Sequence, residues 1–404
     1  MPVGELSFPT MHPVAGFRLA TVEAGVRYAG RRDLVVMEIC EVATSAAVFT
    51  SNAFCAAPVT LCKKHLLVTS PRYLLTNTGN ANAGTGEQGY QDSMDSCQAL
   101  AEQAGCLCEE VLPFSTGVIG ESLAVDKIIA AIPTALKALS EDGWEQAAHG
   151  IMTTDTVPKG CSQIIELSGG RITLTGISKG SGMIRPDMAT MLAYVATDAN
   201  IEQSLLQEAL QIAVDASFNR ITVDGDTSTN DSCVLVATGR SNIKLHAGNR
   251  DWQIFVQALT ELCEQLAQAI VRDGEGATKL ITIDVINGSD VEECNQVAYT
   301  VAHSPLVKTA FFASDPNWGR ILAAVGRAGV VGLDLQALTI HLGAVCIVRN
   351  GGRADDYLET KGQAVMDKDE ITIRIDLQRG KATTRVWTCD FSYDYVKINA
   401  EYRS

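Results

Sequence analysis

Short runs of β-branched and apolar residues, interleaved with amphipathic helical stretches, constrain this chain most. LVVMEI (34–39), IIEL (164–167), ITLTGI (172–177), CVLVAT (233–238), LITIDVI (280–286), IHLGAVCIV (340–348) and ITIRIDL (371–377) are each bounded by turn residues and read as strands. From Asp251 to Asp273 the residues Trp252, Phe255, Val256, Leu259, Leu262, Leu266 and Ile270 recur at helical spacing, and Gly274 supplies a stop. Further helices are expected over 203–217, 92–104 and 123–139, the last ended or kinked at Pro133. Strands and helices do not alternate one for one, so the pattern predicts α+β layers and not a strict βαβ sheet. Asn350-Gly351-Gly352, between apolar runs, reads as a tight hairpin turn. No fixed-period repeat or low-complexity linker marks a domain boundary.

Of the 404 residues, 46% are hydrophobic and 20% charged, so a sizeable core is expected and disorder is not. The formal net charge of −15 argues against nucleic-acid or anionic-membrane surfaces, which need basic patches. No apolar run reaches the roughly 18 residues of a membrane span, and no signal-peptide pattern is visible, so a cytoplasmic protein is expected. The twelve cysteines are scattered without paired spacing, as small buried hydrophobes in a reducing compartment would be. Cys62-Lys-Lys-His65 lacks a second ligand pair, so no metal site is expected.

Chemistry concentrates in KGSGMIRPDMATML (179–192). Two glycines and a proline loosen the backbone before Thr190, which stands at the mouth of the apolar run MLAYVAT (191–197). A threonine hydroxyl is a poor nucleophile unless a base takes its proton, and an N-terminal threonine carries that base as its own α-amine. That amine titrates near pH 8, so much of it accepts a proton at neutral pH. Thr190 is internal, so the reading requires the chain to cut itself between Ala189 and Thr190. The division this implies is 1–189 and 190–404, with a C-terminal α/β region over about 281–404.

Other motifs say less by themselves. NTGNANAGTGEQG (77–89) lacks the spacing and lysine of a phosphate loop, and is either a packed loop or a neighbour of the active site. ITVDGDTSTND (221–231) begins like a calcium loop, but Thr229 and Leu235 stand where that loop needs glycine and a carboxylate, so a structural turn is expected. In FSTGVIGESL (114–123), Thr116-Gly117 sits ahead of a helix and could aim a hydroxyl and a backbone N–H at an oxyanion. In DGEGATK (273–279), Glu275 lies at the negative end of a helix dipole, so a cation is expected beside it: Lys279, Arg272 or a substrate ammonium. FFASDPNWGR (311–320) reads as a helix start with a buried tryptophan. G-x-S-x-G is absent, leaving a Ser–His–Asp hydrolase with little support.

KGSGMIRPDMATML with TDA (197–199), NTGNANAGTG, ITVDGDTSTND, DGEGATK, SDPNWGR and the C-terminal NAEYRS together resemble the ornithine acetyltransferase (glutamate N-acetyltransferase, ArgJ) family, from GFRLATVEAGVRY to Ser404 and in the family's order. The resemblance implies a layered α/β/β/α sandwich of the autoprocessed ArgJ/DmpA-like type with a C-terminal α/β region. It implies an enzyme of arginine biosynthesis that moves an acetyl group from N2-acetyl-L-ornithine to L-glutamate through an acetyl-threonine. An α chain ending at Ala189 and a β chain starting at Thr190 would assemble as an α2β2 heterotetramer. No cofactor is implied, although acetyl-CoA is a donor in bifunctional members. Residue by residue, Thr190 matches the nucleophile and Thr116 and Gly117 the oxyanion pair. Thr153 (in preference to its neighbour Thr154), Lys179, Glu275, Asn399 and Ser404 match substrate-binding positions, with Lys179 expected on a substrate carboxylate and Glu275 on ornithine's ammonium. Where the family commonly reads A-P-N, this chain has Arg185-Pro186-Asp187, which changes the charge near the cut.

Two rivals remain at this point. A related N-terminal-nucleophile amidohydrolase or aminopeptidase would use the same threonine but pass the acyl group to water. A non-catalytic glycine-rich binding protein would undergo no processing.

Overall fold

The computed structural model describes residues 1–185 and 191–401, which form two compact units. The larger comprises Ser7–Asn219 and Asp226–Ile270. In chain order its elements are β1 (Phe17–Val22), β2 (Leu34–Ile39), β3 (Thr44–Phe49), α1 (Ala57–His65), β4 (Tyr73–Asn80), α2 (Gly86–Ala104), β5 (Val111–Val118), α3 (Val125–Lys137), α4 (Trp144–Gly150), β6 (Lys159–Leu167), β7 (Gly170–Lys179), β8 (Leu192–Thr197), α5 (Gln203–Ala216), β9 (Ser232–Ala237) and α6 (Arg250–Arg272), whose last two residues belong to the other unit. The strands make two sheets, ordered β1-β2-β4-β5 and β3-β9-β8-β7-β6.

The period of two along β2 explains the layering. Val35, Met37 and Ile39 enter one core and Leu34 and Val36 another, so both faces of the strand are covered and the run is apolar throughout. In the first core Phe17, Leu74, Leu112 and Phe114 of one sheet meet Ile177, Leu192, Tyr194 and Val234 of the other. Phe114 and Tyr194 pack edge to face at 5.3 Å, and the Tyr194 hydroxyl bonds Thr76 Oγ1 at 2.8 Å. The second core sets the outer face of the first sheet against Leu61, Leu100 and Ile132 of α1, α2 and α3. On the outer face of the other sheet, α5 packs on β3 and β9, while Leu262 and Leu266 of α6 lie within 3.4 Å of where a Cβ on Gly176 of β7 would stand. The larger unit is therefore the α/β/β/α sandwich, and each fully buried Leu, Ile or Val in it contributes about 1.5–3 kcal/mol.

The smaller unit comprises Met1–Leu6, Arg220–Gly225 and the chain from Val271 onward. It contains β10 (Leu280–Gly288), α7 (Val291–Ala302), α8 (Pro305–Phe312), α9 (Trp318–Gly326), β11 (Thr339–Leu342), β12 (Val345–Arg349), β13 (Gly352–Arg353), α10 (Glu359–Met366), β14 (Glu370–Asp376), β15 (Ala382–Cys389) and α11 (Tyr393–Ala400). One sheet, ordered β13-β12-β11-β14-β10-β15, packs Ile281, Ile283 and Val285 against Val297 and Val301 of α7.

Three expectations shift. The run 340–348 is not one strand but the hairpin β11–β12, turned at Gly343 with φ of +57°. Pro133 does not end α3; the helix runs through it, because the residue lies on the exposed side and the bond its missing N–H forfeits is not a core one. The second helix begins at Gly86 instead of near 92. Thr116-Gly117 stands ahead of α3, as expected, near the end of β5. The division expected at Ala189–Thr190 concerns the covalent chain: β7 and β8, on either side of it, are paired strands of the larger unit, from Leu174 opposite Thr197 to Lys179 opposite Leu192. Among the described residues no helix is long and apolar enough to cross a membrane.

Candidate active site

β4 and β5 run parallel, with Thr78 opposite Thr116 and Gly79 opposite Gly117, and the register shifts at Asn80. Gly117 has φ of +139°, and a Cβ there would stand 2.2 Å from the Gly79 carbonyl carbon. No side chain fits, so glycine is a steric requirement of this strand pair. The Gly79–Asn80 backbone packs directly against Gly117, beside the buried Thr116.

Lys179, the last residue of β7, is 3% exposed. Its Nζ donates to Thr116 Oγ1 and to Thr153 Oγ1, both at 3.0 Å. An ammonium only donates, so each hydroxyl accepts from it and keeps its own proton for another acceptor. Of the adjacent threonines, Thr153 is the one on Lys179; Thr154 Oγ1 instead bonds Ser181 Oγ at 2.7 Å.

Asp155 and Lys159, which the sequence reading passed over, organise this corner. Asp155 Oδ2 accepts the Thr153 N–H at 3.0 Å, and Oδ1 accepts the Gly180 N–H at 2.7 Å and Lys159 Nζ at 2.6 Å. One carboxylate thus ties the backbones of Thr153 and of the residue after Lys179. Burial opposes ionisation of Asp155, but the charges of Lys159 and Lys179 and these hydrogen bonds outweigh it and hold the carboxyl well below the usual range. The only sequence signal was a pair of opposite charges four apart, which on most surfaces means nothing.

Ala189, Thr190 and Ser404, expected at the cut, the nucleophile and a substrate contact, lie outside the described residues, as does Asp187. Arg185 is exposed.

In the smaller unit, Glu275 is 7% exposed and its Oε2 accepts from Asn399 Nδ2 of α11 at 2.8 Å. Asn399 Nδ2 also reaches the Tyr395 carbonyl at 3.0 Å, and Ser392 Oγ bonds the Gly276 carbonyl at 2.6 Å, which fastens α11 to the Glu275 turn. Neither side-chain cation expected beside Glu275 is its partner. Arg272 pairs with Glu370 at 2.8 Å, and Lys279 Nζ caps the Met366 carbonyl at 2.7 Å.

The remaining motifs are tied into the fold by hydrogen bonds. Cys62 Sγ bonds the Pro113 carbonyl and His65 Nδ1 the Val111 carbonyl, and among the described residues no three His, Cys, Asp or Glu side chains group as metal ligands. In 77–89, Asn82 adopts φ of +46° and its Nδ2 holds the Gly89 carbonyl and Ser93 Oγ. In 311–320, Asn317 caps α9 through the Arg320 N–H at 3.1 Å, and Trp318 is half-buried.

Residues 18–404 match the model of the ArgJ family. The chain is 56% identical over 407 residues to the arginine biosynthesis bifunctional protein ArgJ of Pseudomonas fluorescens, and 58% identical over 407 residues to that of Psychrobacter arcticus, covering 100% of both chains in each case. Among solved structures it is similar to ArgJ of Bacillus halodurans, at 41% identity and a TM-score of 0.48, covering 50% of this chain and 95% of that one. With the family's pattern matched over nearly its whole length, the chain belongs to the ArgJ family.

Proposed function

We propose that the protein is a self-cleaving glutamate N-acetyltransferase of arginine biosynthesis that transfers acetyl from N2-acetyl-L-ornithine to L-glutamate and, as a bifunctional enzyme, also acetylates glutamate from acetyl-CoA. One observation carries the mechanistic reading: a buried lysine bridging the hydroxyls of Thr116 and Thr153, on the strand paired with the one that follows Thr190. In this reading the Thr190 hydroxyl attacks the Ala189 carbonyl, the peptide C–N bond breaks, and the freed nitrogen takes the proton. Water then hydrolyses the ester. The new α-amine accepts the Thr190 hydroxyl proton as Oγ attacks the acetyl carbon of acetylornithine, and returns it to ornithine's departing nitrogen. Glutamate's amine takes the acetyl group from the threonine ester.

Lys179 acts through Thr116 in this scheme. Because its ammonium fills an acceptor position on Oγ1, the Thr116 hydroxyl proton remains to stabilise the developing oxyanion, together with the backbone at Gly117. Glu275, backed by Asn399, is suited to a substrate ammonium because the nearby side-chain cations are engaged elsewhere. The processed chains are taken to assemble as α2β2 in the cytoplasm, without a cofactor.

Intact mass and denaturing electrophoresis test this. Active protein should consist of two chains divided at Ala189–Thr190, and Thr190→Ala should stay whole and form no acetyl-enzyme. Active enzyme made only of the uncut 43.1 kDa chain would end the proposal. Ornithine release that glutamate does not accelerate over water would favour the amidohydrolase reading.

A further inference from the structure

The segment 227–231, read from sequence as a structural turn, touches both halves of the proposed chemistry from two consecutive residues. Asn230 is buried and its Nδ2 donates to the Ala81 carbonyl at 2.6 Å and to the Ser115 carbonyl at 2.9 Å. The Ser115 carbonyl and the Thr116 N–H belong to one planar peptide, so holding the first orients the second. Asp231 is 1% exposed, and its Oδ1 accepts the Met191 N–H at 2.8 Å. The Met191 carbonyl in turn accepts the Ser232 N–H at 3.1 Å. Met191, the first described residue after Thr190, is thus gripped at both polar atoms by consecutive residues leading into β9.

The rest of the segment is tied down. Thr50 Oγ1 bonds the Ser228 carbonyl at 2.8 Å, the Ala56 N–H bonds the Thr229 carbonyl at 2.9 Å and the Thr50 N–H bonds the Asp231 carbonyl at 3.0 Å.

We infer that Asn230 and Asp231 are positioning residues, a backbone caliper that sets the Ser115–Thr116 peptide against the chain at Met191 for both self-cleavage and acetyl transfer. Their side chains reach different strands, β5 and the entry to β8, so two consecutive residues tie the Ser115–Thr116 peptide to the chain at Met191. This rests on Thr190 being the nucleophile.

The test compares Asp231→Asn, which keeps an acceptor for the Met191 N–H, with Asp231→Leu, which has similar bulk and none, and with Asn230→Ala. Cutting is followed by denaturing electrophoresis, and transfer by steady-state kinetics on the cut fraction. Asp231→Leu should slow cutting and lower kcat by about 10-fold or more, as loss of one buried hydrogen bond implies, with KM changed less than about twofold. Asp231→Asn should restore most of both rates. Asn230→Ala should lower kcat similarly. Folded Asp231→Leu that cuts and turns over at the parent rate overturns the inference. If Asp231→Leu does not fold, the decision falls to Asn230→Ala, with parental kcat again overturning it. Thr190→Ala separates the two readings. If that variant still cuts or forms acetyl-enzyme, the proposed function fails; if it is inert while Asp231→Leu is parental, only the caliper fails.

Discussion

Replacing Lys159 by methionine tests the electrostatic reading of the larger unit most directly. The side chains of Lys159 and Asp155 are both 0% exposed, and Nζ lies 2.6 Å from Oδ1. Methionine fills much the same volume but leaves a buried carboxylate without its nearest cation. Breaking a buried pair from one side costs about 3–5 kcal/mol. The lower end applies here, because the Thr153 and Gly180 N–H groups and the charge of Lys179 still stabilise the carboxylate. At about 2–4 °C per kcal/mol for a unit of this size, about 3 kcal/mol lowers Tm by roughly 6–12 °C. The assay is urea unfolding and thermal melting in a Thr190→Ala background, so that every protein compared is one uncut chain. Adding Asp155→Asn should recover part of the loss, with the double variant about 1 kcal/mol or more better than the sum of the singles. A Lys159→Met protein within about 0.5 kcal/mol of its parent, or strict additivity, would refute the reasoning.

Three further outcomes are expected. The folded-state pKa of Asp155 is depressed, so its contribution to stability is present above about pH 4 and is lost as pH falls through the folded value, whereas burial raises that of Asp231, whose contribution is full below about pH 4 and is lost as pH rises toward the folded value. Asp231→Asn should therefore gain stability relative to its parent between pH 5 and 7, by up to about 1.4 kcal/mol per unit in urea titrations, and a pH-independent difference would contradict this. Lys179→Met should lower kcat about 100-fold by releasing the Thr116 and Thr153 hydroxyls, measured as ornithine release; a kcat within a few-fold of the parent would remove Lys179 from the site. Glu275→Gln should raise KM for acetylornithine about 10-fold while leaving KM for glutamate nearly unchanged, and an equal rise in both would argue against an ammonium contact.

Strands and helices with a clear period were legible because periodicity is a local property. The helix from Asp251 and the runs at 34–39 and 280–286 appear where their spacing puts them. The splitting of 340–348 was not, since Gly343 turns the chain inside a run that stays apolar on both sides. Glu275 was marked as needing compensation, yet its described partner is the Asn399 amide, 124 positions along the chain.

What the amino-acid order determined alone is the chemical inventory: a threonine before an apolar strand, a Thr-Gly pair, an acid after a long helix, and membership of a family through motifs spread over the whole chain. Only the tertiary structure decided which of these residues meet. It placed Lys179 on Thr116, 63 positions away, set Thr153 on Lys179 and Thr154 on Ser181, and put the unremarked Asp155 and Lys159 beside them. The reason is physical. A buried charge is tolerated only where hydrogen bonds and opposite charge meet it; Asp155 takes Lys159 and the Thr153 N–H from its own neighbourhood, but the Gly180 N–H and the charge of Lys179 reach it from the far end of β7, 24 or more positions along the chain, which local propensity does not dictate.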